Sequence, residues 1–335
     1  MNKILVIQTS YLGDVILATP VVEKLHQMYP ESTIDFLLRK GNESLFEGHP
    51  FLHKIIIWDK KKNKYNNLFY VLKEVRKNKY DLILNFHRHA SSGFITIFSG
   101  AKQTRGFNKN PFSLFFSKRF PHKINKNDFS VHEVDRNLSL IENSDKQRIM
   151  PRLYPSESTF EKIHSYTKSK YICIAPASVW YTKQFPTEKW IELIQYIKTD
   201  YLIYFLGSSN EKNLCEEIIF KSNNKNCINF AGEISLLESA ALMKNAFMNY
   251  VNDSAPLHIA SAMNANVTAI FCSTIPEFGF GPLSENSVIV QTDQKLLCKP
   301  CGIHGFKACP EKHFKCATTI NMNTLLQPFK NNTNL

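Results

Sequence analysis

Asp253, Ser254 and His258 are the side chains most directly suited to meeting an anion. They follow an apolar run in the stretch NYVNDSAPLHIASA, so a strand passes through an Asp-Ser turn straight into a helix. A helix N-terminus presents unpaired backbone N–H groups and the positive end of the peptide dipole, which stabilise phosphate. Asp and Ser are equally ordinary N-caps, and a histidine one turn later also suits a hydrogen-bonded core position. A second candidate is Asp14, in QTSYLGD after the run ILVI. Its carboxylate can cap a helix running toward Met28 yet stay open to a substrate hydroxyl as a general base, with Gly13 permitting a tight turn. Pro20 falls early in that helix, where its missing N–H costs little. The loop is not a dinucleotide fingerprint, because G-x-G-x-x-G is absent. A third loop, APASVWYTKQFP at 175–186, offers Lys183 as a point charge for phosphate and Ser178 as a hydrogen-bond donor to the same group. Glu211, in GSSNE, is placed to accept from ribose hydroxyls.

These loops need strands to carry them. Short β-rich runs near 4–7, 34–38, 55–58 and 81–85 alternate with amphipathic segments, and a second series follows at 171–175, 201–206, 249–252 and 267–271. Helical patterns such as 187–198 and 235–244 lie between them. This alternation is the pattern of parallel α/β architecture. The polar segment 142–170, with Pro151 and Pro155, reads as a linker. At 335 residues the chain exceeds one ordinary core. Two doubly wound domains are expected, 1–165 and 166–335, with a cleft where ligands bind beyond the carboxyl ends of the strands.

Charge is unevenly spread along the chain, whose formal net charge is +12. Residues 1–150 hold 24 Lys and Arg against 14 Asp and Glu, leaving 17 against 15 for the rest. The first half is therefore suited to something anionic, be it nucleic acid, a membrane surface or a phosphorylated substrate. Much of the excess sits in KKKNK at 60–64, which reads as a solvated basic face, and between Lys102 and Lys126. No apolar run has the length of a membrane span, and the N-terminal apolar run is too short for a secretory signal. A cytoplasmic location is expected, with eight cysteines as reduced thiols or metal ligands. Cys298, Cys301, Cys309 and Cys316, with His304 and His313 close by, have donors enough for a structural zinc clip, although a second C-x-x-C is missing. Ordinary loop cysteines are the other reading.

ILVIQTSYLGDVILATPVVEKL at the N-terminus, HEVDRNLSL at 132–140, TKQFPTEKWIELI at 182–194 and NDSAPLHIASAMNANVTAIF at 252–271 together resemble the ADP-heptose:lipopolysaccharide heptosyltransferases of glycosyltransferase family 9. The resemblance covers nearly the whole chain. It implies the GT-B architecture, with two Rossmann-like domains, the acceptor on the first and the nucleotide sugar on the second. Carried over by position, it implies Asp14 as catalytic base, with Ser178 and Lys183 on the donor diphosphate and Glu211 at the nucleoside. Asp253, Ser254 and His258 would hold the donor sugar and phosphates. Two departures stand out: Ser178 is followed by Val179 where two hydroxyl residues are common, and Asp253-Ser254-Ala255 replaces a step ending in glycine.

The implied reaction is an inverting transfer of heptose from ADP-heptose to a lipid A/Kdo or heptosylated core acceptor at the inner membrane face, where the enzyme would sit peripherally. No Asp-x-Asp pair is present to hold a divalent ion on a nucleotide sugar, so no cofactor is expected for catalysis. His87, Arg88 and Arg105, at or just beyond strand ends of the basic half, are candidate acceptor contacts. Two alternatives remain: a GT-B enzyme using another nucleotide sugar, and a basic zinc-containing nucleic-acid-binding protein. The latter leaves the strand-end loops without a purpose, and no nucleic-acid partner is expected.

Overall fold

Runs rich in valine, isoleucine and leucine form strands buried on both faces, as parallel sheets covered by helices require. The structure is a computed structural model describing residues 1–124, 131–142, 148–197 and 200–330. Lys126, Lys198 and linker residues 143–147 lie outside it. The chain divides into two compact units, Met1–Tyr154 and Pro155–Leu335. The expected border was eleven residues later. Residues 157–163 of the expected linker form a helix instead, and it packs on a helix of the second unit.

In the first unit the strands are β1 (Lys3–Ile7), β2 (Thr33–Arg39), β3 (Lys54–Trp58), β4 (Leu82–Asn85), β5 (Gln103–Phe107) and β6 (Lys118–Phe120). They form one parallel sheet in the order β3-β2-β1-β4-β5-β6. Its helices are α1 (Leu12–Ile16), α2 (Thr19–Met28), α3 (Lys64–Asn78), α4 (Ala90–Phe98) and α5 (Glu133–Leu138). The single helix expected after Asp14 is thus two. The chain breaks at Leu17–Ala18 and restarts with Pro20 in the first turn of α2, where a missing N–H leaves no bond unmade.

In the second unit α6 (Glu157–Ile163) precedes β7 (Tyr171–Ala175), α7 (Thr187–Tyr196), β8 (Leu202–Phe205), α8 (Lys212–Ser222), β9 (Cys227–Asn229), α9 (Leu236–Asn245), β10 (Asn249–Asn252), α10 (Ala255–Ala262), β11 (Val267–Ile270) and β12 (Ser287–Val290). Its parallel sheet runs β12-β11-β10-β7-β8-β9. Counted from each unit's first strand, both sheets have the doubly wound order 3-2-1-4-5-6. The order reverses between β1 and β4 in one unit and between β7 and β10 in the other. At such a switch point the loops after the two strands diverge and leave room for a ligand. The core beneath the second is built on Ile172, Ile174, Phe185, Trp190, Phe205 and Tyr250. Among the described residues no helix is long and apolar enough to cross a membrane.

Candidate active site

The two switch points gather some of the side chains singled out in the sequence. In the second unit, Asn252 ends β10 and is fully buried. Its side chain donates to the Pro176 carbonyl (2.7 Å) and accepts from the Phe185 N–H (2.9 Å), pinning both ends of the 176–186 loop that follows β7. That loop carries Lys183 across the switch point, where its Nζ lies 2.7 Å from Asp253 Oδ2, with side chains 15% and 7% exposed. Thr274 donates to the same carboxylate oxygen at 2.6 Å. Asp253 is therefore the counter-ion of Lys183 and not a helix cap. Ser254 is the N-cap of α10 in extended conformation, and its side chain makes no capping bond. The first turn of α10 is left with backbone N–H groups and a dipole suited to a phosphate. His258, one turn along, is buried with its ring 6.5 Å from that of Phe280.

Ser178 is half-buried on the same loop, where its carbonyl accepts from Gln184. Glu211 takes the N–H of Ser208 at 2.6 Å in a capping box, a structural use of this side chain. Behind Lys183 runs the cysteine-rich loop. Thr182 N–H donates to the Phe306 carbonyl (3.1 Å) while Phe306 N–H donates to Thr182 Oγ1 (2.8 Å), and Cys301 N–H donates to the Ser273 carbonyl (2.8 Å). Gly305 has φ +75°, and a β-carbon there would lie 2.9 Å from Thr182 Oγ1 and 3.0 Å from Lys183 Cγ. The loop is a shelf against which the lysine is held. Cys301 donates its thiol to the Cys298 carbonyl at 3.0 Å, and Cys298 Sγ lies 4.0 Å from His313 Nε2. Among the described residues no three His, Cys, Asp or Glu side chains are grouped to hold a metal ion.

In the first unit Asp14 stands in the first turn of α1, and Gly13 is an ordinary helical residue there. The Asp14 carboxylate accepts from Ser10 Oγ at 2.6 Å. Burial raises its pKa above the usual carboxylate value, with the Glu133 charge adding to this, while the Ser10 bond and the Arg88 charge pull the other way. Glu133 belongs to a buried cluster. His122 Nε2 lies 2.9 Å from it, Arg136 Nη1 also 2.9 Å, and Asn137 of the same helix donates to the Leu17 carbonyl (3.0 Å) at the end of α1. The role of HEVDRN is thus to brace α1. Burial works against the Glu133 charge, but its hydrogen-bonding and electrostatic interactions with His122 and Arg136 hold the pKa below the usual value.

Beside Ser10 and Tyr11 opens a cavity of about 710 Å³ at the β1/β4 switch point, lined also by Arg39, Lys60, Lys64 and His89. Lys60 was expected on a solvated basic face. Instead its Nζ donates to the Thr9 carbonyl and lies 2.9 Å from Thr9 Oγ1, and it stands 4.5 Å from the centre of the Trp58 ring. Burial, reinforced by the Arg39 and Lys64 charges, lowers its pKa to about 8. His87 lines the cavity too, 3.1 Å from Thr9 Oγ1. Burial and then the nearby cations drive its pKa to about 2, so it is a neutral hydrogen-bonding group and not a charge for an acceptor. Arg88 is half-buried and within electrostatic reach of Asp14. Arg105 is not among the residues lining the cavity. Its guanidinium lies 2.9 Å from Glu142 and 3.2 Å from the Gln103 side-chain oxygen. Arg105 was expected at or just beyond a strand end; it stands instead in the middle of β5, and these neighbours occupy its side chain.

Residues 68–305, most of the chain, match the family model described as glycosyltransferase family 9 (heptosyltransferase). The chain belongs to glycosyltransferase family 9. It is accordingly a glycosyltransferase, with the GT-B fold expected from its sequence. Among curated relatives, lipooligosaccharide heptosyltransferase 2 of Haemophilus ducreyi is 26% identical over 313 residues, covering 86% of this chain and 88% of the relative. The solved structure of Escherichia coli ADP-heptose LPS heptosyltransferase II superposes with a TM-score of 0.79 at 20% identity, covering 98% of each chain. E. coli heptosyltransferase WaaC with ADP-2-deoxy-2-fluoro heptose gives 0.73 at 16% identity over 98% of this chain and 99% of that one.

Proposed function

We propose that this glycosyltransferase moves a heptose, with inversion, from ADP-heptose to the inner core of lipopolysaccharide, the acceptor carrying Kdo or a first heptose on lipid A. The names of the relatives and the ADP-linked sugar in a solved neighbour support the donor and acceptor classes. In the second unit Lys183 and the open first turn of α10 neutralise the departing diphosphate. Ser178 donates to it, Glu211 meets the ribose, and Asp253, Ser254 and His258 line the sugar side. In the first unit Asp14 takes the proton of the acceptor hydroxyl.

The observation that carries this mechanism is the state of Asp14. A carboxylate kept above its ordinary pKa by burial is a stronger base than an exposed one, and Ser10, which donates to it, lines the cavity together with Arg39, Lys60 and Lys64. Those cations suit the carboxylate and phosphate groups of an inner-core acceptor. No step calls on a metal. The test is transfer to a defined lipid A core from ADP-heptose, compared with UDP- and GDP-linked sugars. The proposal expects turnover with ADP-heptose alone. Equal or greater turnover with another nucleotide sugar contradicts it.

A further inference from the structure

Helices α3 and α4 pack side by side, and each carries aromatic residues spaced by four: Tyr65 and Phe69 on α3, Phe94 and Phe98 on α4. That spacing puts each pair on one face of its helix. The pairs meet, with Phe69 and Phe94 rings 6.1 Å apart and Phe94 and Phe98 rings 4.7 Å apart. Phe112 joins them at 6.5 Å from Phe94, and the turn after it projects Leu114 and Phe115. These are not core residues. Phe69 is 58% exposed, Phe98 47%, Leu114 72% and Phe115 71%. One exposed aromatic needs no explanation, but a contiguous set is a contact surface. Around it stand exposed cations: Lys73 follows Phe69 by one turn, Arg76 donates to the Phe98 carbonyl at 3.0 Å, and Lys77 and Lys109 are exposed nearby.

We propose that this face docks on an anionic lipid bilayer, its aromatic tips in the headgroup boundary and its lysines against the lipid phosphates. The pairing of interfacial aromatics with a basic rim matches an anionic bilayer in both polarity and charge. A second copy of the chain is a poor occupant, because a symmetric contact would set basic rim against basic rim. The face is continuous with the cavity of the first unit, since Tyr65, Phe94 and Phe112 belong to both. Only that last point rests on the acceptor reading: a lipid-anchored acceptor would enter from the docked face.

The test is sedimentation of the full chain with vesicles of phosphatidylcholine alone or with 30% phosphatidylglycerol, without substrates. Binding is expected to the anionic vesicles and to weaken with salt. The combined F69S/F98S/L114S/F115S variant should bind at least tenfold more weakly, and K73Q/R76Q/K77Q should lose about fivefold per charge. Leu114→Trp in the otherwise native chain covers the case of a misfolded variant: brominated lipid should quench its added fluorescence. With a folded serine variant, turnover of a deacylated, water-soluble acceptor should be unchanged while that of a vesicle-embedded acceptor falls at least tenfold. Full vesicle binding by the serine variant, an unquenched Trp at 114, or self-association abolished by the serine changes with vesicle binding intact overturns the proposal. If no acceptor is turned over at all, the family-based function fails while the vesicle measurements still decide the docking.

Discussion

Lys183→Met separates the two uses of one side chain. Lys183 and Asp253 are both largely buried and 2.7 Å apart, so truncating the lysine strands a buried carboxylate beside Thr274. Breaking such a pair costs about 3–5 kcal/mol. For a unit of this size each kcal/mol moves the midpoint by about 2–4 °C, so the second unit should melt roughly 6–20 °C lower. The double variant K183M/D253N removes the stranded charge and keeps an acceptor for Thr274, so most of that loss should return. Donor binding should not return with it. A charge-assisted hydrogen bond to phosphate contributes about 1.5–3 kcal/mol, so ADP should bind about 10- to 150-fold more weakly to both variants. Melting followed by circular dichroism and ADP titration by calorimetry read the two effects separately. Recovery of ADP affinity in the double variant, or a double variant as unstable as the single one, refutes the reasoning.

Gly305→Ala places a methyl against Thr182 and Lys183 at a backbone angle that disfavours side chains, so the donor KM should rise several-fold with a modest loss of Tm, read by kinetics and melting. Lys60 carries its charge only below about pH 8, so the KM for an anionic acceptor should climb above that pH, and Lys60→Met should abolish the climb. Asp14 must be ionised to act as a base and its pKa is raised, so kcat should fall on acidification at a pH above the ordinary carboxylate range. Arg88 holds that pKa down, so Arg88→Met should move the acid limb of the pH–rate profile to higher pH.

The sequence alone revealed eight strands, because most of them are apolar runs whose residues are buried on both faces. It did not reveal β5, β6, β9 or β12. QTRGF, KRF and CIN are short or polar, and SVIV sits at a sheet edge where one side needs no partner. Strand-end position located Asp14, Lys183 and Asp253, since a switch point collects such loops. What it could not supply is partnership across distance. Asn252, Thr274 and Gly305 act through residues 21 to 123 positions away, and no local pattern marks those contacts. The same limit made the KKKNK run look like plain solvated charge: only the fold brings Lys60 back to Thr9.

The central claim is that Asp14 removes the acceptor proton, and the most direct measurement is the single-turnover rate of Asp14→Asn with saturating ADP-heptose and acceptor. Asparagine keeps the shape and an oxygen for Ser10, so ADP affinity and the melting temperature should be at least as high as in the native chain. The rate should fall by about 10²–10⁴ and lose its acid limb. A variant that turns over within about tenfold of the native enzyme, with the same pH profile, contradicts the account.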